Sequence, residues 1–192
     1  IPIMNHQRMD FFLLAMDQLI NNAAKWKYMF GGQQKTPIII RLIIGRGWGQ
    51  GPQHNQSLES MFSQIKGLKV VCPSNPRDAK GLLTSSIRDK SPVIFFEHRW
   101  LHEIESKVSK KNFIIRNDQP KIKKKGKDVT IVSYSYMMIE CLKASKILND
   151  NKISAEVIDL ISLRPLKLKK IINSIKKTNN LLFVENGQVE FG

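Results

Sequence analysis

Residues 36–56, TPIIIRLIIGRGWGQGPQHNQ, decide the fold. Pro37 to Ile44 is a β-branched run broken only by Arg41 and Leu42. Such a run fits a parallel strand covered on both faces, where no polar alternation is needed. Four glycines then alternate, Gly45, Gly47, Gly49 and Gly51, followed by Pro52, Gln53 and His54. A loop at the carboxyl end of a parallel strand is where open α/β sheets bind ligands. No Gly-Lys-Ser/Thr closes this one. The sixth position counted from Gly45 is Gln50, and from Gly47 it is Pro52. Both phosphate-loop patterns are therefore excluded. The glycines let the backbone take positive φ and approach a ligand or another chain. His54 is a candidate for proton transfer near neutral pH; the alternative is a histidine that caps or orders the loop.

Upstream, Asp10 to Lys27 reads as one helix with Asp10 as N-cap, ended by Gly31-Gly32. Phe11, Phe12, Leu13, Leu14 and Met16 cover more than one face, which predicts deep burial of its first half. Downstream, Ser57 to Lys66 is a short helix stopped by Gly67, and Leu68 to Cys72 is a strand. Asn75, Pro76 and Asp78 mark a helix start, as N-cap, first helical residue and first-turn acid. That helix runs to about Asp89, and a strand follows from Pro92 to Glu97. From Arg99 to Lys127 periodicity fades and charge rises. Then come a strand (Val129–Tyr134), a helix (Met137–Leu148), a strand (Ser154–Leu160), a helix (Leu166–Ile175) and a strand (Leu181–Glu185). This alternation predicts α/β architecture with a parallel sheet. The expected division is a first domain over 1–116, a linker over 117–127 and a second domain over 128–192.

The 192 residues are 42% hydrophobic, enough for a packed core rather than disorder. The formal charge of +15 raises nucleic acid as a partner. The densest run, Lys121, Lys123, Lys124, Lys125 and Lys127, carries no interleaved aromatics for base stacking, and reads as a solvated linker face. No apolar run spans a bilayer, and no charged-then-apolar leader is visible, so neither membrane insertion nor secretion is expected. Cys72 and Cys141 read as separate buried thiols. His98 and His102, four apart among Glu97, Glu103 and Glu105, form a metal pair only if one helix holds both. No nucleophile elbow is present, which argues against a hydrolase.

The runs MDFFLLAMDQLINNAAKWKYMFGGQ and IIGRGWGQGPQHNQSLESMFSQIKGLKVVCPSNPRDAKGLL, with GKDVTIVSYS, EVIDLISLRPL and NNLLFVENGQVEFG further on, resemble a known family. It is the β subunit of the thiamine-diphosphate-dependent 2-oxo acid dehydrogenase E1 component, of pyruvate, branched-chain or acetoin type, within the transketolase superfamily. The resemblance implies a partial pyrimidine-binding domain followed by a partial transketolase C-terminal domain. It implies oxidative decarboxylation of pyruvate or a related 2-oxo acid, with acyl transfer to the lipoyl group of E2. The alternatives are an acetoin dehydrogenase β chain and a non-catalytic interaction subunit.

The implied assembly is an α2β2 heterotetramer of E1 α with two β chains, in bacterial cytoplasm or an organelle matrix. Thiamine diphosphate lies between α and β, with Mg2+ held mainly by α. Phe11 matches the aromatic residue that packs on the aminopyrimidine, and His54 the histidine that faces substrate and lipoyl group. Ile38, Ser86, Ile87, Asp89 and Ser91 match a structural potassium loop, with Ser91 standing where Asn is usual. The family's glutamate that protonates the aminopyrimidine would fall upstream of Ile1. The chain thus reads as truncated at both ends and is expected to be inactive alone.

Overall fold

A computed structural model describes residues 1–45, 47 and 49–188. Arg46 and Trp48 of the glycine loop, and 189–192 of the expected second domain, lie outside the described residues. Two sheets form. The first has the order β1 (Ile3–His6), β2 (Ile39–Ile44), β4 (Val93–His98), β3 (Lys69–Val71), β8 (Ser162–Arg164). The second has the order β5 (Lys121–Lys124), β7 (Ala155–Asp159), β6 (Val129–Ser133), β9 (Leu181–Val184). Pairing is parallel except at β3/β8 and β5/β7.

The decisive run becomes β2, central between β1 and β4, in register Ile39 with Val93 and Ile44 with His98. Arg41 is tolerated inside it because its guanidinium forks onto Glu97 of β4, at 2.5 and 2.9 Å. One apolar cluster runs from Ile40, Leu42, Ile94 and Phe96 of the first sheet to Val132, Ile158 and Leu160 of the second. The two sheets therefore share a core rather than sitting as separate bodies.

Helix α4 (Pro76–Ile87) starts as its sequence predicts: the Asn75 side chain accepts the Asp78 N–H at 2.9 Å. Other elements differ. The expected first helix is divided into α1 (Met9–Phe12), a 3-10 turn (Leu13–Ala15), a π-helical segment (Gln18–Ala23) and α2 (Ala24–Met29). Arg8, not Asp10, is its N-cap residue, and it makes no side-chain cap. Deep burial holds for Phe12 and Leu19 but fails for Leu14, which is 95% exposed, and for Phe11, which is 44% exposed. An apolar pattern on all sides demands cover, and this chain alone covers only one side.

Gly67 ends the segment after α3 (Glu59–Ser63) at φ +99°, and a Cβ there would lie 1.9 Å from the Ala24 carbonyl oxygen. Only glycine fits this crossing.

The lysine run is a solvated face only at Lys125 and Lys127, which are exposed. Lys121 to Lys124 form β5, an edge strand antiparallel to β7. Lys121 and Lys123 place their ammonium groups 2.6 and 2.8 Å from the Asp78 carboxylate, which is 1% exposed. Lys123 also lies 3.4 Å from Asp159 of β7, whose carboxylate accepts the Ser74 hydroxyl at 2.5 Å. Burial alone would raise the Asp78 carboxyl; the two lysines and Asn75 override it and hold it at about 2. The second domain's helices are α5 (Met137–Asp150) and α6 (Lys169–Thr178).

Candidate functional site at the strand ends

β1, β2 and β4 are parallel neighbours, and His6, Gly45 and His98 mark their carboxyl ends. The segments leaving these ends make the site. After β1 the chain turns through Gln7 and Arg8 into α1, which carries Phe11. After β2 the glycine loop leads to a 3-10 turn, Pro52–His54. Gly49 and Gly51 take φ +81° and +74°, backbone that glycine adopts without strain. His54 meets Phe11 edge-to-face, ring centroids 5.1 Å apart. The sequence-matched pair, 43 positions apart, is thus brought together.

A cavity of about 380 Å³ opens there, lined by His6, Gln7, Arg8, Phe11, Gln50 and His54. The volume suits a small-molecule group. Phe11 keeps an exposed ring beside the His54 imidazole, a surface that fits a planar heteroaromatic ring such as an aminopyrimidine. Arg8 donates through Nη2 to Gln50 Oε1 at 2.7 Å and through Nη1 to the Gln7 carbonyl at 2.9 Å. His6 Nδ1 lies 2.9 Å from the Arg8 carbonyl. Arg8, His6 and Gln50 escaped sequence reading. Their only signal was position, polar residues directly after a strand and inside the glycine loop.

Behind the loop, Glu59 of α3 is 2% exposed. Burial pushes its carboxyl up to about 7, against the Ser57 hydroxyl that donates to it, while Glu185 adds repulsion. Glu185 accepts the Tyr134 hydroxyl at 2.7 Å. Pro52, Asn55, Glu59, Tyr134 and Glu185 border a second cavity of about 640 Å³, which extends from the His54 turn to the second domain.

Ser86, Ile87, Asp89 and Ser91 gather at the turn between α4 and β4, and Ile38 adjoins it through its carbonyl, which accepts the Val93 N–H at 2.9 Å. The Ser86 carbonyl accepts the Asp89 N–H, and Asp89 accepts the Ser91 N–H at 3.0 Å. Lys69 already forms an ion pair with Asp89. Carbonyls with a second lone pair and one carboxylate are oxygen donors of the kind a hard monovalent cation takes, so the set fits potassium in kind.

The His98–His102 pair is not on one helix. His98 ends β4, and its Nδ1 accepts the Trp100 N–H at 3.3 Å. His102 lies 3.3 Å from Glu97. Burial first, and His102 second, lower the His98 pKa to about 4, so its ring is neutral. Among the described residues no cluster of His, Cys, Asp and Glu suits a metal ion. Cys72 and Cys141 are free and buried in different clusters. Among the described residues no helix is long and apolar enough to cross a membrane.

Comparison with known proteins identifies two domains. Residues 1–103 match the family model of the transketolase pyrimidine-binding domain, and residues 118–192 that of the transketolase C-terminal domain. The chain is 42% identical to the acetoin:2,6-dichlorophenolindophenol oxidoreductase subunit β of Cupriavidus necator, over 96% of this chain and 54% of that protein. It is also 42% identical to the pyruvate dehydrogenase E1 component subunit β of Porphyra purpurea, over 96% and 56%. The mitochondrial subunit of the same name from Homo sapiens is 38% identical, over 100% and 54%. The chain thus spans a little over half the length of these relatives. Among solved structures, a split-gene transketolase in an inactive β4 tetramer superposes with TM-score 0.82 at 22% identity, over all of this chain and 59% of that one. That likeness establishes the fold alone.

Proposed function

The chain belongs to the transketolase family, with a pyrimidine-binding domain followed by a C-terminal domain, and on that premise we propose that it acts as the β subunit of a 2-oxo acid dehydrogenase E1 component. The single observation that carries this reading is the Phe11–His54 contact at the mouth of a small-molecule cavity, at the carboxyl ends of parallel strands. The reaction is oxidative decarboxylation of a 2-oxo acid with transfer of the acyl group to a lipoyl group on E2. Acetoin is the alternative substrate, supported by the Cupriavidus necator relative. The setting is a bacterial cytoplasm or an organelle matrix.

Thiamine diphosphate, when bound, supplies the electron sink for decarboxylation. Its diphosphate and Mg2+ belong mainly to an α subunit, in keeping with a glycine loop that lacks both phosphate-binding patterns. On this chain, Phe11 offers its ring face to the aminopyrimidine. His54, seated against Phe11, orients the substrate carboxylate or holds a proton at an imidazole nitrogen. The glycine loop fixes where His54 stands. The exposed apolar residues of the first helical segment, Leu14 above all, fit burial against partner subunits of an α2β2 assembly.

The experiment is assembly of the full-length protein with its α subunit, assayed on pyruvate, branched-chain 2-oxo acids and acetoin with a lipoyl domain. Turnover that requires thiamine diphosphate is expected; none on any of these substrates overturns the reading. A potassium ion at Ile38, Ser86, Ile87, Asp89 and Ser91 belongs to the same proposal. A melting temperature equal in KCl and NaCl removes it.

A further inference from the structure

His54 stands at the end of a loop softened by glycine. Glycine occupies every second position from Gly45 to Gly51, and it gives up more backbone freedom on ordering than any other residue. The loop is restrained from outside at two points that bracket His54. Before the histidine, Gln50 Oε1 accepts Arg8 Nη2 at 2.7 Å. After it, the Gln56 N–H donates to Asp10 Oδ1 at 3.2 Å. Arg8 and Asp10 flank Met9, which is fully buried, on the turn from β1 into α1. That turn is stitched to itself: Arg8 Nη1 donates to the Gln7 carbonyl at 2.9 Å, and His6 Nδ1 lies 2.9 Å from the Arg8 carbonyl. Asp10 does not cap its own helix; its carboxylate serves the loop instead. Phe11 is the next residue after Asp10. The turn that presents the ring therefore also holds the loop that presents the imidazole, 5.1 Å away.

We propose that Arg8 and Asp10 are positioning residues, which together hold the glycine loop so that His54 stays against Phe11. The inference rests on the reading of Phe11 and His54 as half of a 2-oxo acid dehydrogenase site. Neither residue has to touch substrate or cofactor for this. Their effect passes through the fraction of time that the imidazole is in place. A misplacement of about 1 Å is enough to slow a reaction steeply, so a loop of low intrinsic stiffness needs such restraints. Arg8 also lines the cavity, and a direct hold on substrate is the alternative to be separated.

Gln50→Leu removes the loop partner of Arg8 and leaves Arg8 in place; Gln50 is exposed, so no packing is lost. Asp10→Ala removes the second restraint. Both are made in the full-length protein assembled with its α subunit, singly and on a His54→Ala background. Hydrogen–deuterium exchange of the loop backbone is measured without substrate, and reductive acylation of a lipoyl domain with thiamine diphosphate. Each single variant is expected to speed exchange between Gly49 and Gln56, and to lower kcat roughly tenfold with KM for the 2-oxo acid little changed. Asp10→Asn keeps an acceptor oxygen for the Gln56 N–H and is expected to restore most of the rate. On the His54→Ala background neither variant is expected to lower the rate further, because nothing remains to be positioned.

Unchanged exchange in both variants overturns the proposal. So does a full loss of rate repeated on the His54→Ala background, which marks direct action on substrate, and so does a rise in KM with kcat intact. A wild type without thiamine-dependent turnover sinks the dehydrogenase reading instead, and the exchange measurement then decides for or against the two restraints by itself.

Discussion

Two regions of this molecule treat charge in opposite ways. At the junction of the domains, Asp78, Lys121, Lys123, Asp159 and Ser74 form a closed network, and each carboxylate has a cation and a hydroxyl or amide beside it. At the strand ends, Arg8, His6 and His54 line a cavity beside an aromatic ring left half exposed. The first arrangement is complete within one chain and serves folding. The second brings an arginine and two histidines to an open cavity instead of closing them into a network. A buried ion pair and a binding site use the same residue types; the charges facing them tell the two apart.

The largest expected effect tests the closed network. Asp78→Ala leaves two lysines facing a buried gap and is expected to cost roughly 3–5 kcal/mol. Equilibrium denaturation measures it, and a loss below about 1 kcal/mol would show the network to be a solvated surface pair after all. The Asp78 carboxyl lies at about 2 in the folded chain. Its contribution is therefore present above pH 4 and drains away as pH falls toward 2.

Glu59, behind the His54 loop, has the opposite sign. Its folded-state pKa is raised to about 7, so its cost is absent below about pH 4.5 and grows as pH rises toward 7, to roughly 3 kcal/mol. Glu59→Gln is expected to flatten this slope. If melting curves of wild type and variant run parallel from pH 4.5 to 8, Glu59 is not held protonated.

The smallest effect on stability belongs to the cavity lining. Phe11→Ala removes a ring that is 44% exposed and is expected to cost about 1 kcal/mol or less in the isolated chain. A loss comparable to that of Asp78→Ala would make Phe11 a core residue and erase the contrast.

The closed network was largely invisible in sequence. Lys121 to Lys124 is a four-residue edge strand whose partner strand begins 31 positions after its end, and whose counter-charge lies 43 positions back. A charge-rich run without apolar alternation carries no strand period, so it read as a linker. β8, three residues long and returning to the first sheet, is too short to show a strand period.

The site fared differently. Continuous apolar β2 was legible as a strand, and Asn75-Pro76 as the start of α4. His54 was singled out by its place after the glycine loop and again by family resemblance, Phe11 by resemblance alone; their contact is a product of topology, because β1 and β2 lie side by side. Leu14 was misjudged because periodicity reports that a face needs cover, not which chain supplies it.

The central claim is that the glycine loop carries His54 into half of an active site without His54 supporting the fold. The direct measurement is His54→Ala in the protein assembled with its α subunit, comparing reductive acylation of the lipoyl domain with melting temperature. The account predicts a fall in turnover of about 100-fold or more with the melting temperature nearly unchanged. Normal acylation by a folded variant, or a fall matched by loss of the assembly, would contradict it.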